Sequence, residues 1–223
     1  MMNSLQKMGG VAALVMAATF VVGIAVFLVV LTPAGYFDEG VAPVEKVAVL
    51  ANNQAIASIS YLVAYVVFGI FLVVLSLALY ERLKAGSPAM AQTATAFGII
   101  WAGLVIASGM VAVIGIGTVV DLYGNDPAQA GSVWLAIESV QRGIGGEIEI
   151  VGSLWVLLVS AAALRAGGLP RALNYLGVVI GVAGLLTVVP ALAALGPVFG
   201  LGLIVWFVWL GIVMLRSSPM AAL

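Results

Sequence analysis

Ionisable side chains are scarce in this chain, and the stretch from Gly131 to Arg165 sets Glu138, Arg142, Glu147 and Glu149 directly before a long apolar run. A charged group near membrane depth is costly to hold, which makes it a functional candidate. On one uninterrupted helix, at about 100° per residue, Glu138, Arg142, Gly145, Glu149 and Gly152 share a sector of about 80°, and Glu147 points the opposite way. With Gln141 beside it, such a face on a water-filled vestibule could bind a cation or relay protons, Arg142 holding Glu149 ionised. The same residues admit a plainer arrangement. Val133, Ile137, Val140 and Ile144 form an apolar stripe within about 60°, with Glu138 and Arg142 roughly opposite at the i,i+4 spacing of a helical ion pair. Gly145-Gly146 then breaks the helix. An interfacial helix precedes the break, and a span whose first turn carries Glu147 and Glu149 at the positive end of the helix dipole follows it.

These residues must be positioned by membrane helices. The 223 residues are 64% hydrophobic and 8% charged, with a mean hydropathy of +1.27. A soluble domain carries about 25% charged residues. The sequence contains neither Cys nor His, which removes disulfides, thiolate nucleophiles and imidazole ligands or bases. A net charge of −1 gives no basic stripe for nucleic acid. No Lys falls within an apolar span, which removes a retinal Schiff base.

The pattern predicts an all-α polytopic bundle, one domain over 1–223, with six spans at about 11–31, 55–80, 93–120, 147–164, 173–195 and 198–215. Val11 to Leu31 is uncharged and just crosses a hydrocarbon core of about 30 Å. Its apolar run is too long for a signal peptide and is read as retained. Between the first two spans, Pro43 can open a short surface helix carrying Val44, Val47, Ala48 and Ala51 at helical spacing. Tyr61 and Tyr65 are read as packing or interfacial anchors in the second span. Gly124-Asn125-Asp126-Pro127 is a turn. In RAGGLPR, Gly167 and Gly168 end one helix and Pro170 opens the next. Ala172 to Leu215 carries no charge, and as one helix it would be more than twice the core thickness, so it must fold back. Gly196-Pro197 is the expected corner, with Pro190 kinking the fifth helix or ending it early. Gly177, Gly181 and Gly184 make a small-residue packing face. Trp206 and Trp209 are expected to pack in the bundle with their indole N–H groups satisfied there, or to contact lipid or a ligand.

With six spans, Lys7, Arg82, Lys84, Arg165, Arg171 and Arg216 fall on one side, opposed by Glu81. Asp38, Glu39, Glu45, Asp121, Asp126, Glu138, Glu147 and Glu149 fall on the other, with Lys46 and Arg142. The positive-inside rule then puts both termini in the cytoplasm.

The run from Gly146 to Arg216, above all Gly168-Leu169-Pro170-Arg171 leading into a glycine-rich span, resembles bacterial multi-helix membrane proteins grouped as a domain of unknown function. The resemblance implies a bacterial six-helix inner-membrane protein and carries over no functional residue. The expected role is non-enzymatic: a structural or accessory component in the lipid bilayer, in a homo-oligomer or larger complex, without cofactor, metal or nucleic acid. The competing expectation is a small-molecule, ion or proton transporter or receptor with an outward polar cavity near Glu138, Arg142 and Glu149.

Overall fold

The computed structural model describes residues 4–146 and 149–216, so Glu147, expected to point away from the candidate face or to stand in the first turn of the fourth span, lies outside the described residues. Among these residues the elements are helical throughout: α1 (Ser4–Val26), α2 (Pro43–Asn52), α3 (Gln54–Tyr61), α4 (Phe68–Leu83), α5 (Pro88–Tyr123), α6 (Pro127–Gln141), α7 (Ile150–Ala166), α8 (Arg171–Leu186) and α9 (Gly196–Arg216). Five stretches are long and apolar enough to cross a membrane: Ser4–Leu31, Gln54–Leu83, Pro88–Tyr123, Pro127–Ala166 and Pro190–Arg216. The chain is therefore an integral, multi-pass membrane protein. Arg171–Leu186 is apolar but shorter.

The helices divide between two compact units. The first comprises Met1–Ala18, Gly69–Gly103 and Ile148–Leu223. Several of its closest helix approaches are made at glycines. A Cβ on Gly10 would meet Leu215 Cγ at 2.8 Å and Gly211 O at 3.1 Å, and one on Gly211 would meet Gly10 O at 2.9 Å. Only hydrogen at these positions lets α1 and α9 approach backbone to backbone, the packing that lipid favours. The Gln6 side chain adds a hydrogen bond from Nε2 to Met214 O at 3.3 Å.

The RAGGLPR corner forms as its chemistry dictates. Gly167 closes α7 in the left-handed region at φ 69°, its N–H bonded to Ala163 O, and Pro170 stands at the N-cap of α8. The Arg82 Nε–H donates to Gly168 O at 2.7 Å, tying the corner to the end of α4. α8 stops at Leu186, short of the expected Leu195. Two local groups account for it. Thr187 turns its hydroxyl back onto Gly184 O at 2.6 Å, and Pro190, which has no N–H to donate, opens a 3-10 turn over Pro190–Leu195.

The second unit comprises Thr19–Phe68 and Leu104–Glu147. Here the helices are widened by π-helical turns at Phe27–Leu31, Leu62–Val67 and Arg142–Gly146. Gly109 makes room for the second of these, since a Cβ there would stand 2.6 Å from Tyr65 Cβ. α2 opens at Pro43 as expected, and the Glu45 carboxylate accepts from Ala42 N–H at 3.1 Å, half of a capping box. Asp126 caps α6 by accepting from Gln129 N–H at 2.9 Å. α2 crosses α6 at Gly131, whose missing Cβ would lie 2.8 Å from Val44 N. Around that crossing Tyr36, Val47, Leu50, Ala57, Ile116, Val119, Ala130 and Trp134 form one buried cluster.

Candidate functional site

The polar centre of the second unit is built on this crossing. Gly35, at φ 81°, reverses the chain after the first π-turn and delivers Tyr36 into the buried cluster. The Tyr36 hydroxyl accepts a hydrogen bond from the Trp134 indole N–H at 2.9 Å and donates its own proton to Glu138 Oε1 at 3.1 Å. From α2, Lys46 Nζ reaches both carboxylate oxygens of Glu138, at 3.1 and 3.0 Å. The same ammonium lies 5.1 Å from the Tyr36 ring centre, a cation–π distance. Every member holds a partner: indole to phenol, phenol to carboxylate, carboxylate to ammonium. Burial is the largest cause pushing the Tyr36 phenol above its ordinary range, with the charges of Tyr61 and Glu138 adding to it and the Trp134 hydrogen bond opposing.

One helical turn on, Gln141 is equally occupied. Its Nε2 donates to Ser108 Oγ at 3.0 Å, and the Ser108 hydroxyl donates to Gln141 O at 2.9 Å. Both residues are buried. Arg142 is exposed at the start of the third π-turn. Of the apolar stripe expected on α6, Val133 and Ile137 pack half-buried against the cluster, but they do not mark the most buried line of the helix. Ala130, Gly131, Trp134 and Gln141 are its buried positions, Glu138 lies half-buried in line with them, and Val140 is 52% exposed. In lipid an apolar side chain gains nothing by turning toward protein, whereas Glu138 and Gln141 gain hydrogen bonds there, so the polar residues set the rotation of the helix. Glu138 is held by Lys46 and Tyr36, partners that come from outside its own helix. The α-helical pattern stops at Gln141. Glu149 belongs to the first unit, half-buried at the N-cap of α7, with its carbonyl accepting from Ser153 N.

A second polar feature of Thr19–Phe68 is an open cavity of about 450 Å³ over Ala34, Gly35, Asp38, Glu39, Glu45 and Val49. Among the described residues no group of three His, Cys, Asp or Glu side chains could hold a metal ion.

In the first unit, Trp101, Trp155, Trp206 and Phe207 form a chain of rings with centroids 5.7 Å (Trp101 to Trp155), 5.7 Å (Trp155 to Trp206) and 5.4 Å (Trp206 to Phe207) apart. Trp206 is fully buried, whereas Trp209 is 37% exposed. The expectation that indole N–H groups are satisfied in the bundle is not met by direct bonds: Trp155 Nε1 and Trp206 Nε1 are buried without a hydrogen-bond partner, as are Ser76, Ser153 and Ser160 Oγ. The packing face is occupied within the chain. A Cβ on Gly177 would overlap Ser160 Oγ and lie 2.9 Å from Trp206 Nε1, one on Gly181 would meet Leu157 Cγ at 2.5 Å, and one on Gly184 would meet Phe199 Cδ2 at 2.5 Å.

A family model for the domain of unknown function DUF4386 matches residues 11–216. The chain belongs to the DUF4386 family. The match takes in the amino-terminal half as well as the Gly168–Arg171 region that carried the resemblance. No curated protein and no solved structure matches the chain. Within this DUF4386 domain, sequence spacing pointed to Glu138 and Gln141 but not to the partners that hold them, Tyr36, Lys46, Trp134 and Ser108. The available signal was Lys46 itself, the one base in a polar connection that carries Asp38, Glu39 and Glu45. A cation set alone among carboxylates needs a partner.

Proposed function

We infer that this DUF4386 chain is a non-enzymatic component of a membrane assembly in the bacterial cytoplasmic membrane, crossing the bilayer six times with both termini in the cytoplasm. The observation that carries the reading is the state of Glu138. A carboxylate that serves a passing ion or proton needs an open coordination position, and this one accepts from Lys46 on both oxygens and from Tyr36, with a side-chain exposure of 12%. Gln141 is spent on Ser108 in the same way. Polar groups closed on one another rigidify a scaffold. The six-fold crossing takes α8 as a short span, compatible with a locally thinned bilayer.

The test uses the full chain, expressed at native level and extracted in mild detergent. It is expected to migrate well above its 22.8 kDa mass together with other subunits, and proteoliposomes of the purified chain are expected to show no solute or proton flux. Migration as an isolated chain, combined with a flux that Glu138→Gln or Glu149→Gln abolishes, would overturn the assignment in favour of a transporter.

A further inference from the structure

Six side-chain polar atoms among the described residues, on Ser76, Ser153, Trp155, Ser160, Asn174 and Trp206, are buried without a direct partner, all in the first unit, and four of them are not scattered. Two pairs are organised around a glycine. At Gly98 of α5 a Cβ would overlap Ser76 Oγ from α4 and come within 2.6 Å of Trp155 Nε1 from α7. At Gly177 of α8 the corresponding atoms are Ser160 Oγ from α7 and Trp206 Nε1 from α9. In each case a hydroxyl and an indole N–H converge on the one helix position that carries no side chain. An alanine there would shield both groups. Glycine leaves them facing each other.

At the first of these places there is also room. A small cavity of about 10 Å³ is lined by Ser76, Tyr80, Ala91, Thr95, Trp155 and Val159, among other apolar residues. That volume is about what one water requires and less than any larger ligand needs. The lining also supplies the partners a buried water needs, two to four of them. The Trp155 N–H is a donor only, Ser76 Oγ both donates and accepts, and Thr95 Oγ1 has its proton committed to Ala91 O at 2.8 Å, which leaves its lone pairs to accept. A water fits this set with correct polarity at every bond: it accepts from the indole, donates to Thr95, and donates to or accepts from Ser76. No rearrangement of the packing of α4, α5 and α7 is needed. Hydrocarbon offers these atoms no alternative, because at membrane depth an indole N–H finds neither bulk water nor lipid acceptors.

The geometry points to a site for one structural water, bound between Ser76 Oγ, Thr95 Oγ1 and Trp155 Nε1, two of which a Cβ on Gly98 would crowd. It joins α4, α5 and α7 through hydrogen bonds that no two of these residues make directly. Gly98 is then required for hydration as well as for close packing.

A map of the full chain in nanodiscs, at a resolution that shows ordered solvent, is expected to contain a single solvent peak about 3 Å from both Ser76 Oγ and Trp155 Nε1. A cavity without that peak, or an indole that has closed directly onto Ser76 Oγ, overturns the assignment. In solution, indole-labelled protein reports the same site: the N–H resonance that disappears in Trp155→Phe is expected to show magnetisation transfer to water in the parent chain. The absence of such transfer overturns it as well.

Discussion

Glu138 and Lys46 come from segments far apart in sequence, and neither group can leave the crossing without stranding the other. Their side chains are 12% and 20% exposed, between the surface case, where a pair contributes about 0–1 kcal/mol, and the buried case, where removing one partner costs about 3–5 kcal/mol. Glu138→Gln is therefore expected to destabilise the chain by about 2 kcal/mol, and a double-mutant cycle with Lys46→Met to return a coupling on the order of 1–2 kcal/mol in unfolding measurements. A coupling of zero would mean that the bond is incidental. The aromatic partner adds a pH dependence. Because the folded chain holds the Tyr36 proton more tightly than the unfolded chain, whose phenol titrates near 10.0, its contribution to stability is complete below that value and declines as pH rises past it. Tyr36→Phe should lose stability less steeply than the parent in the alkaline limb, and equal slopes would refute the assignment. Little of this site was legible in advance. Periodicity identifies what shares a helix face, whereas Lys46 and Tyr36 reach Glu138 through tertiary crossing, on which helical spacing is silent.

Among the helices, the glycines divide sharply by what faces them. Gly98 and Gly103 stand on the same helix, α5, and look alike in sequence. A Cβ on Gly98 would meet Ser76 and Trp155, and one on Gly103 would meet nothing within 4 Å. Gly98→Ala is expected to cost about 1–3 kcal/mol as overpacking. Gly103→Ala is expected to be neutral or stabilising by up to about 1 kcal/mol, since alanine is the better helix former. Comparing the two melting temperatures in one detergent checks the contrast, and equal losses would show that propensity rather than contact governs α5. Helix punctuation was readable where one residue dictates it, as at Gly167, Pro170 and Pro43. At Leu186 it was half readable: Pro190 was expected to kink or shorten the fifth helix and α9 does start at Gly196, but the Thr187 hydroxyl that helps to end α8 there was not foreseen. The π-turns at Phe27–Leu31 and Leu62–Val67 left no trace in sequence, because apolar residues at 3.6 and at wider spacing read the same when both protein and lipid accept them, whereas the third falls where Gly145-Gly146 had signalled an interruption.

For the molecule as a whole, the decisive question is whether α8 crosses the bilayer. Its 16 residues extend about 24 Å, short of a core of about 30 Å, yet it is apolar along its length and begins at Arg171. Counted as a span, it returns the carboxyl terminus to the side of the amino terminus and gathers Arg82, Lys84, Arg165, Arg171 and Arg216 on that side. Left out, it puts Arg216 among the acids, against the charge asymmetry that orients membrane proteins. The chain contains no cysteine, so single thiols can be introduced without background. Glu39→Cys and Asn125→Cys should react with a membrane-impermeant maleimide on intact cells, whereas Lys84→Cys and Arg216→Cys should react only after permeabilisation. All four positions are exposed, which makes the reactivity a measure of side rather than of burial. Labelling of Arg216→Cys on intact cells, with Lys84→Cys protected, would remove α8 from the spans and place the termini on opposite sides.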